Sequence, residues 1–248
     1  MAKLRFVGLC GVDESFTPPP GVEWPALVEW GVLFRRELQG KRSRFPSIKW
    51  IEMFAQEHAG GNLAAHLCSH DLEQVLLEGD FGFVRYLFEK LNFRRFQLNA
   101  TRANGVDMDR INAAPAAELV GRITALAQAL PSAEFILQRN PETARICLEM
   151  ERSGWRENIS FLFDSSVGTG VEITAFGRPG LPQARFGYAG GINPDNVARV
   201  WENISNSLRD CGEDMKVWID MESGIRNPGD DSCSWEKCLQ VARIANTF

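Results

Sequence analysis

Eight short apolar runs alternate with segments of helical periodicity across 248 residues, which predicts an α/β protein folded as a single (β/α)8 TIM barrel. Two further observations support that class. The runs turn polar at their C-terminal ends, where such barrels keep their sites, and glycine turns follow the last two of them. An open doubly wound sheet would leave edge strands and commonly has fewer units.

The predicted strands are Leu4–Cys10, Gly31–Phe34, Asn62–Cys68, Arg94–Ala100, Ala133–Arg139, Ile159–Ser165, Arg185–Gly190 and Lys216–Ser223. Thr17-Pro-Pro-Pro-Gly21 is a rigid turn that replaces much of the first helix. Ser47 caps a helix carrying Ile48, Ile51, Met53 and Phe54, and Asp71 opens one that runs through Leu72, Val75 and Leu76 toward Leu91. Pro115–Leu130, Glu142–Ser153, Asp195–Arg209 and Ser234–Ala245 complete the helical set. Asn193 is the expected N-cap after the seventh strand, with Pro194 in the first helical position. The sixth crossover, Ser166–Gln183, is rich in glycine and proline and reads as a long loop at the site. No change of composition divides residues 1–248, so one domain is expected.

A net charge of -5, with no basic run interleaved with aromatics, argues against nucleic acid as partner. No stretch has the length of a membrane span or the pattern of a secretion signal. Six scattered cysteines then read as reduced thiols in a cytoplasmic protein. A phosphorylated small molecule is the expected partner, and the chain is expected as a monomer or homodimer.

Alternation along each strand sorts side chains into a helix-facing and a barrel-facing row. The barrel-facing row brings Cys10, His66, Gln97, Gln138, Asp164 and Asp220 to one mouth. Gly190-Gly191 and Ser223-Gly224 offer main-chain amides to a phosphate there, unobstructed at the glycines. The basic loop Arg35, Arg36, Lys41, Arg42, Arg44 lies at the same end and would attract an anion. His66, Cys68 and His70 resemble metal ligands in type, but a fourth ligand is not evident, and no metal or other cofactor is expected. Trp24, Trp30, Trp50 and Trp201 read as packing residues.

Six segments carry a family resemblance. Phe6-Val-Gly-Leu-Cys-Gly-Val12, Gly31-Val-Leu-Phe34 with Arg44-Phe-Pro-Ser47, Phe96-Gln-Leu-Asn99, Phe161-Leu-Phe-Asp164 with Gly168-Thr-Gly170, Ala189-Gly-Gly-Ile-Asn-Pro-Asp-Asn196 and Ile219-Asp-Met-Glu-Ser-Gly224 resemble, in order, motifs of the phosphoribosylanthranilate isomerases. The resemblance implies an Amadori-type aldose–ketose isomerase of tryptophan biosynthesis. Cys10 would be its general base, a thiolate of lowered pKa, and Asp164 its general acid. Arg44, Gln97 and Asp220 would bind substrate, and Gly190, Gly191, Ser223 and Gly224 would hold the phosphate. Gly8, Asn99, Glu222 and Arg226 depart from the family pattern and mark a divergent member. Two alternatives stand beside it: another phosphosugar-handling barrel enzyme (epimerase, aldolase or lyase), and a non-catalytic phosphometabolite-binding barrel.

Overall fold

The computed structural model describes residues 2–164, 166, 172, 176–209 and 215–248. The predicted Gly168-Thr-Gly170 turn and Cys211 lie outside them. Strands β1 (Lys3–Cys10), β2 (Val28–Phe34), β3 (Asn62–Leu67), β4 (Arg95–Leu98), β5 (Glu134–Arg139), β6 (Ile159–Asp164), β7 (Phe186–Ala189) and β8 (Lys216–Met221) pair in sequence order, all parallel, and β8 closes on β1. This is the predicted barrel, and each predicted strand occurs with its ends moved by at most three residues.

Helices α1 (Ile48–Glu57), α2 (Ser69–Glu73), α3 (Gly82–Lys90), α4 (Met108–Ala113), α5 (Ala116–Ala129), α6 (Ala144–Glu149), α7 (Val197–Ser207) and α8 (Trp235–Ala245) lie between or after the strands. Ser47 caps α1 by accepting from the Trp50 amide at 3.3 Å, and Ser234 caps α8 by accepting from Lys237 at the same distance. The long helix expected from Asp71 is broken: a π-helical turn over Gln74–Glu78 ends at Gly79, which takes φ 67°, before α3 starts. The sequence pattern missed α4, which Asp107 opens by accepting from the amides of Asp109 and Arg110, each at 3.1 Å. No helix joins β1 to β2. Phe16, Trp24 and Trp30 cover that gap, with the Trp24 and Trp30 rings 4.8 Å apart edge to face and Phe54 of α1 beside Trp30.

The helix-facing rows, among them Val7, Leu9, Leu63, Ala65, Phe96, Phe135, Phe161, Val217 and Ile219, are buried in one apolar layer against the helices. The barrel interior is filled in tiers. Phe6, Ile136, Leu162 and Trp218 form a central apolar tier. Toward the N-terminal ends of the strands, Arg95 bridges Glu29 and Glu134, with Arg5 also on Glu134 at 2.8 Å and Ser160 donating to Glu134. The Arg95 guanidinium also stacks over Trp218, 4.5 Å from the ring centroid. Burial disfavours ionised Glu134, yet Arg95, Arg5 and Arg185 outweigh it and hold the carboxyl at about 2.

Two predictions follow from this buried cluster. Arg95→Met leaves buried Glu29 without its cation and Glu134 with only Arg5 and Arg185, and should lower unfolding free energy by about 3–5 kcal/mol, measured by denaturant titration. Because the folded Glu134 carboxyl lies below its ordinary value of 4.5, its contribution is complete above that pH and is lost as pH falls toward 2. Glu134→Gln should therefore flatten the acid limb of the stability profile in that window.

Candidate active site

One cavity of about 250 Å3 opens at the C-terminal ends of the strands, and Cys10, Arg44, His66, Gln97, Gln138, Asp164, Gly190, Gly191, Asp220, Ser223 and Gly224 all line it. Every residue predicted for the site is thus brought to one place. Strand alternation places six of them: the inward rows of β1, β3, β4, β5, β6 and β8 end in Cys10, His66, Gln97, Gln138, Asp164 and Asp220, whereas those of β2 and β7 end in Leu33 and Ala189.

On one wall β6 presents Asp164. Its Oδ2 accepts from the Gln138 amide at 2.6 Å, and its Oδ1 accepts from the Ser166 amide at 3.1 Å and hydroxyl at 2.5 Å. Gln138 Oε1 and Asn99 Oδ1 are buried and lack partners among the described residues. Both residues line the cavity.

Across the cavity Cys10 of β1 meets two residues from other strands. Its Sγ lies 2.5 Å from Asp220 Oδ1 on β8, to which it donates, and 3.6 Å from His66 Nε2 on β3. Two glycines make room for this group. A Cβ on Gly8 would lie 2.2 Å from Asp220 Oδ1, and one on Gly31 would lie 2.7 Å from Cys10 Sγ. Burial pushes the Cys10 thiol well above its ordinary value, and Asp220, Glu222 and Glu29 push it the same way. The expected low-pKa thiolate is therefore corrected: the groups that shift the sulfur all disfavour its charge. Burial likewise raises the Asp220 carboxyl to about 8 and lowers the His66 imidazole to about 3.

Above these walls stand the two main-chain loops. Gly190 and Gly191 take φ of 122° and 60°, which glycine adopts freely. The Ser223–Ile225 turn packs so closely on the first loop that a Cβ at Gly224 would lie 2.0 Å from the Ile192 carbonyl oxygen. Among the described residues, no turn or loop carbonyl accepts from the amides of Gly190, Gly191, Ser223 or Gly224. Helix α7 is regular only from Val197, and Asn196, directly before it, makes no side-chain capping bond. Asn193 Oδ1 accepts from Asp195 at 2.9 Å, and Asn196 Oδ1 accepts from Asn193 at 2.8 Å, which turns the chain into the helix.

The basic loop is largely neutralised rather than free. Arg36 pairs with Asp71 at 2.8 Å and Arg35 with Glu37 at 2.7 Å, while Arg44 holds Glu222 and, at 2.6 Å, Asp231. Arg226 pairs with buried Asp13 at 2.5 Å and also donates to the Gly11 carbonyl and to Asp231. These contacts tie the loops after β1, β2 and β8 into one rim. Of the suspected metal-type residues, His70 is exposed and Cys68 faces Asn99 and Asn104, each at 3.8 Å. His66 groups with Cys10 and Asp220 instead, three buried residues whose ligand atoms lie within 4.8 Å of one another. A search within one segment could not find a cluster spread over β1, β3 and β8.

No family model matches the chain, and no curated protein matches it. Among solved structures it is similar to an AP endonuclease of family 2 from Brucella melitensis, with 11% identity and a TM-score of 0.46 over 88% of this chain and 93% of that one. The expected membership in the phosphoribosylanthranilate isomerases is therefore corrected, and with it the implied place in tryptophan biosynthesis. No model of that family matches the chain. The residues give the physical reason. The shared segments are glycine turns and strand ends that a barrel needs to hold an anion, whereas Gly8, Glu222 and Arg226 rebuild their surroundings: Asp220 fills the space at Gly8, Glu222 holds Arg44, and Arg226 locks Gly11 and Asp13.

The fit between Gly8 and Asp220 can be tested alone. Gly8→Ala should cost about 1–3 kcal/mol of stability through overpacking, and the cost should nearly vanish when Asp220→Ala is also present. Thermal unfolding of the two single variants and the double variant measures that coupling.

Proposed function

We propose that the protein is an enzyme that moves protons on a small phosphorylated sugar or related carbonyl compound, an isomerase or epimerase by class. One observation carries this reading: main-chain positions 190, 191, 223 and 224 share a cavity with a carboxylate on one wall and a thiol–imidazole–carboxyl group on the other. Backbone amides at glycine turns suit a phosphate because they approach it closely and carry no side chain of their own.

In this account the phosphate rests on the two loops, and its anchoring sets where the sugar carbons lie. Gln138 Oε1 and Asn99 Oδ1, the buried acceptors without partners, receive sugar hydroxyls, and Gln97 lines the same wall. Asp164 takes a proton from the carbon beside the carbonyl and returns it on the same face to the former carbonyl carbon, while Cys10, His66 and Asp220 pass the hydroxyl proton between the two oxygens; in an epimerisation that wall supplies the proton to the opposite face. Gln138 and Ser166 keep the Asp164 carboxylate oriented for its task. Cys10, His66 and Asp220 face the carbonyl oxygen and stabilise the charge that develops on it. The cavity, of about 250 Å3, has room for a monosaccharide phosphate.

A panel of triose, tetrose and pentose phosphates, followed by proton–deuterium exchange in heavy water, tests the reading. Wild-type protein should exchange the carbon-bound proton of at least one of them. Asp164→Asn should lower that rate by about 100-fold or more while the compound still raises the melting temperature. A phosphorylated ligand that stabilises the protein yet never exchanges would move the assignment to a binding protein. Absence of both stabilisation and exchange across the panel would remove the phosphosugar reading.

A further inference from the structure

We propose that Cys10, His66 and Asp220 form a three-ligand site for one divalent cation of borderline softness, zinc before all others, with its remaining position open to the cavity. A thiolate, an imidazole and a carboxylate are the three side-chain ligands zinc accepts, and three protein ligands plus one open position is the arrangement of its catalytic sites. The three residues come from β1, β3 and β8, so the barrel wall holds each of them rigidly rather than leaving it on a loop.

Distances support the assignment. Donor atoms in a tetrahedral zinc site, each about 2.0–2.3 Å from the ion, lie about 3.3–3.7 Å apart. The Cys10 Sγ to His66 Nε2 separation is 3.6 Å, already that of a ligand pair. Asp220 Oδ1, 2.5 Å from the sulfur, has only to swing away by about 1 Å to admit the ion. All three donor atoms lie within 4.8 Å of one another, and all three residues are buried yet border the cavity. Gly8 and Gly31 keep the place clear, since any larger residue at either position would meet one of the donor atoms.

Charge points the same way. The sulfur is surrounded by carboxylates, with Asp220 in contact and Glu222 and Glu29 acting from farther off. The guanidinium that acts on His66, that of Arg95, is engaged by Glu29 and Glu134. A cation bound among the three would draw the protons off thiol and carboxyl as it binds. The ion's role rests on the phosphosugar reading, because it would polarise the substrate oxygen that this wall faces. Its binding does not rest on that reading.

The experiment is therefore a metal titration of the full chain without substrate. Zinc and cobalt(II) should each bind at one ion per chain, and the cobalt form should show the thiolate charge-transfer absorption of a cysteine ligand. Cys10→Ser should abolish that band and weaken zinc binding by at least about 100-fold, beyond the loss typical of an outer-shell partner. Cys68→Ser should leave band and affinity unchanged. Failure of the folded wild type to bind either ion, or a cobalt–thiolate band that survives Cys10→Ser, overturns the proposal. Phosphate-induced stabilisation measured on the same samples separates that failure from failure of the phosphosugar reading.

Discussion

Volume inside the barrel is the constraint on which the rest depends. Eight inward rows share a narrow cylinder, so a large side chain on one strand requires its neighbour to give up space. Gly187 yields to Trp218, since a Cβ there would lie 2.4 Å from the indole ring. Gly8 yields in the same way to Asp220, and Gly31 to Cys10. The apolar tier and the polar group above it are thus built by one device, and each functional atom is placed by what the adjacent strand lacks.

Charge is organised around that packed centre at two levels. Below it, Arg95 is closed in by Glu29, Glu134 and two ring faces. Above it, Arg44, Arg226, Glu222, Asp231 and Asp13 bind the rim loops to one another. Between these levels lie the thiol, imidazole and carboxyl, each shifted by burial away from its charged form. A site of this kind has its walls fixed before ligand arrives, which lowers the ordering cost of binding.

Much of this was legible in the sequence. The two-residue period separated inward from outward rows correctly in every strand for which it was read, because both rows in a parallel barrel are buried and only chemistry tells them apart. The convergence of Cys10, Gln97, Gln138, Asp164 and Asp220 followed from that parity alone. What could not be read was which inward residues touch. Cys10 and Asp220 are 210 positions apart and meet only because β8 closes on β1. His66, Cys68 and His70 are close in sequence but not in function, because a helix starting at Ser69 carries His70 out to the surface. Short glycine motifs misled in another way: they report close turns of the main chain, which unrelated chains make with the same residues.

The account's central claim is that an anion rests on the main chain beyond β7 and β8, facing Asp164 across the cavity. A crystal of the full chain soaked with ribose 5-phosphate tests it most directly. The account predicts phosphate density within hydrogen-bonding distance of the amides of Gly190, Gly191, Ser223 and Gly224, with the sugar reaching toward Asp164. Phosphate bound instead to the outer arginines, with those four amides uncontacted and the cavity floor free of sugar, would contradict it.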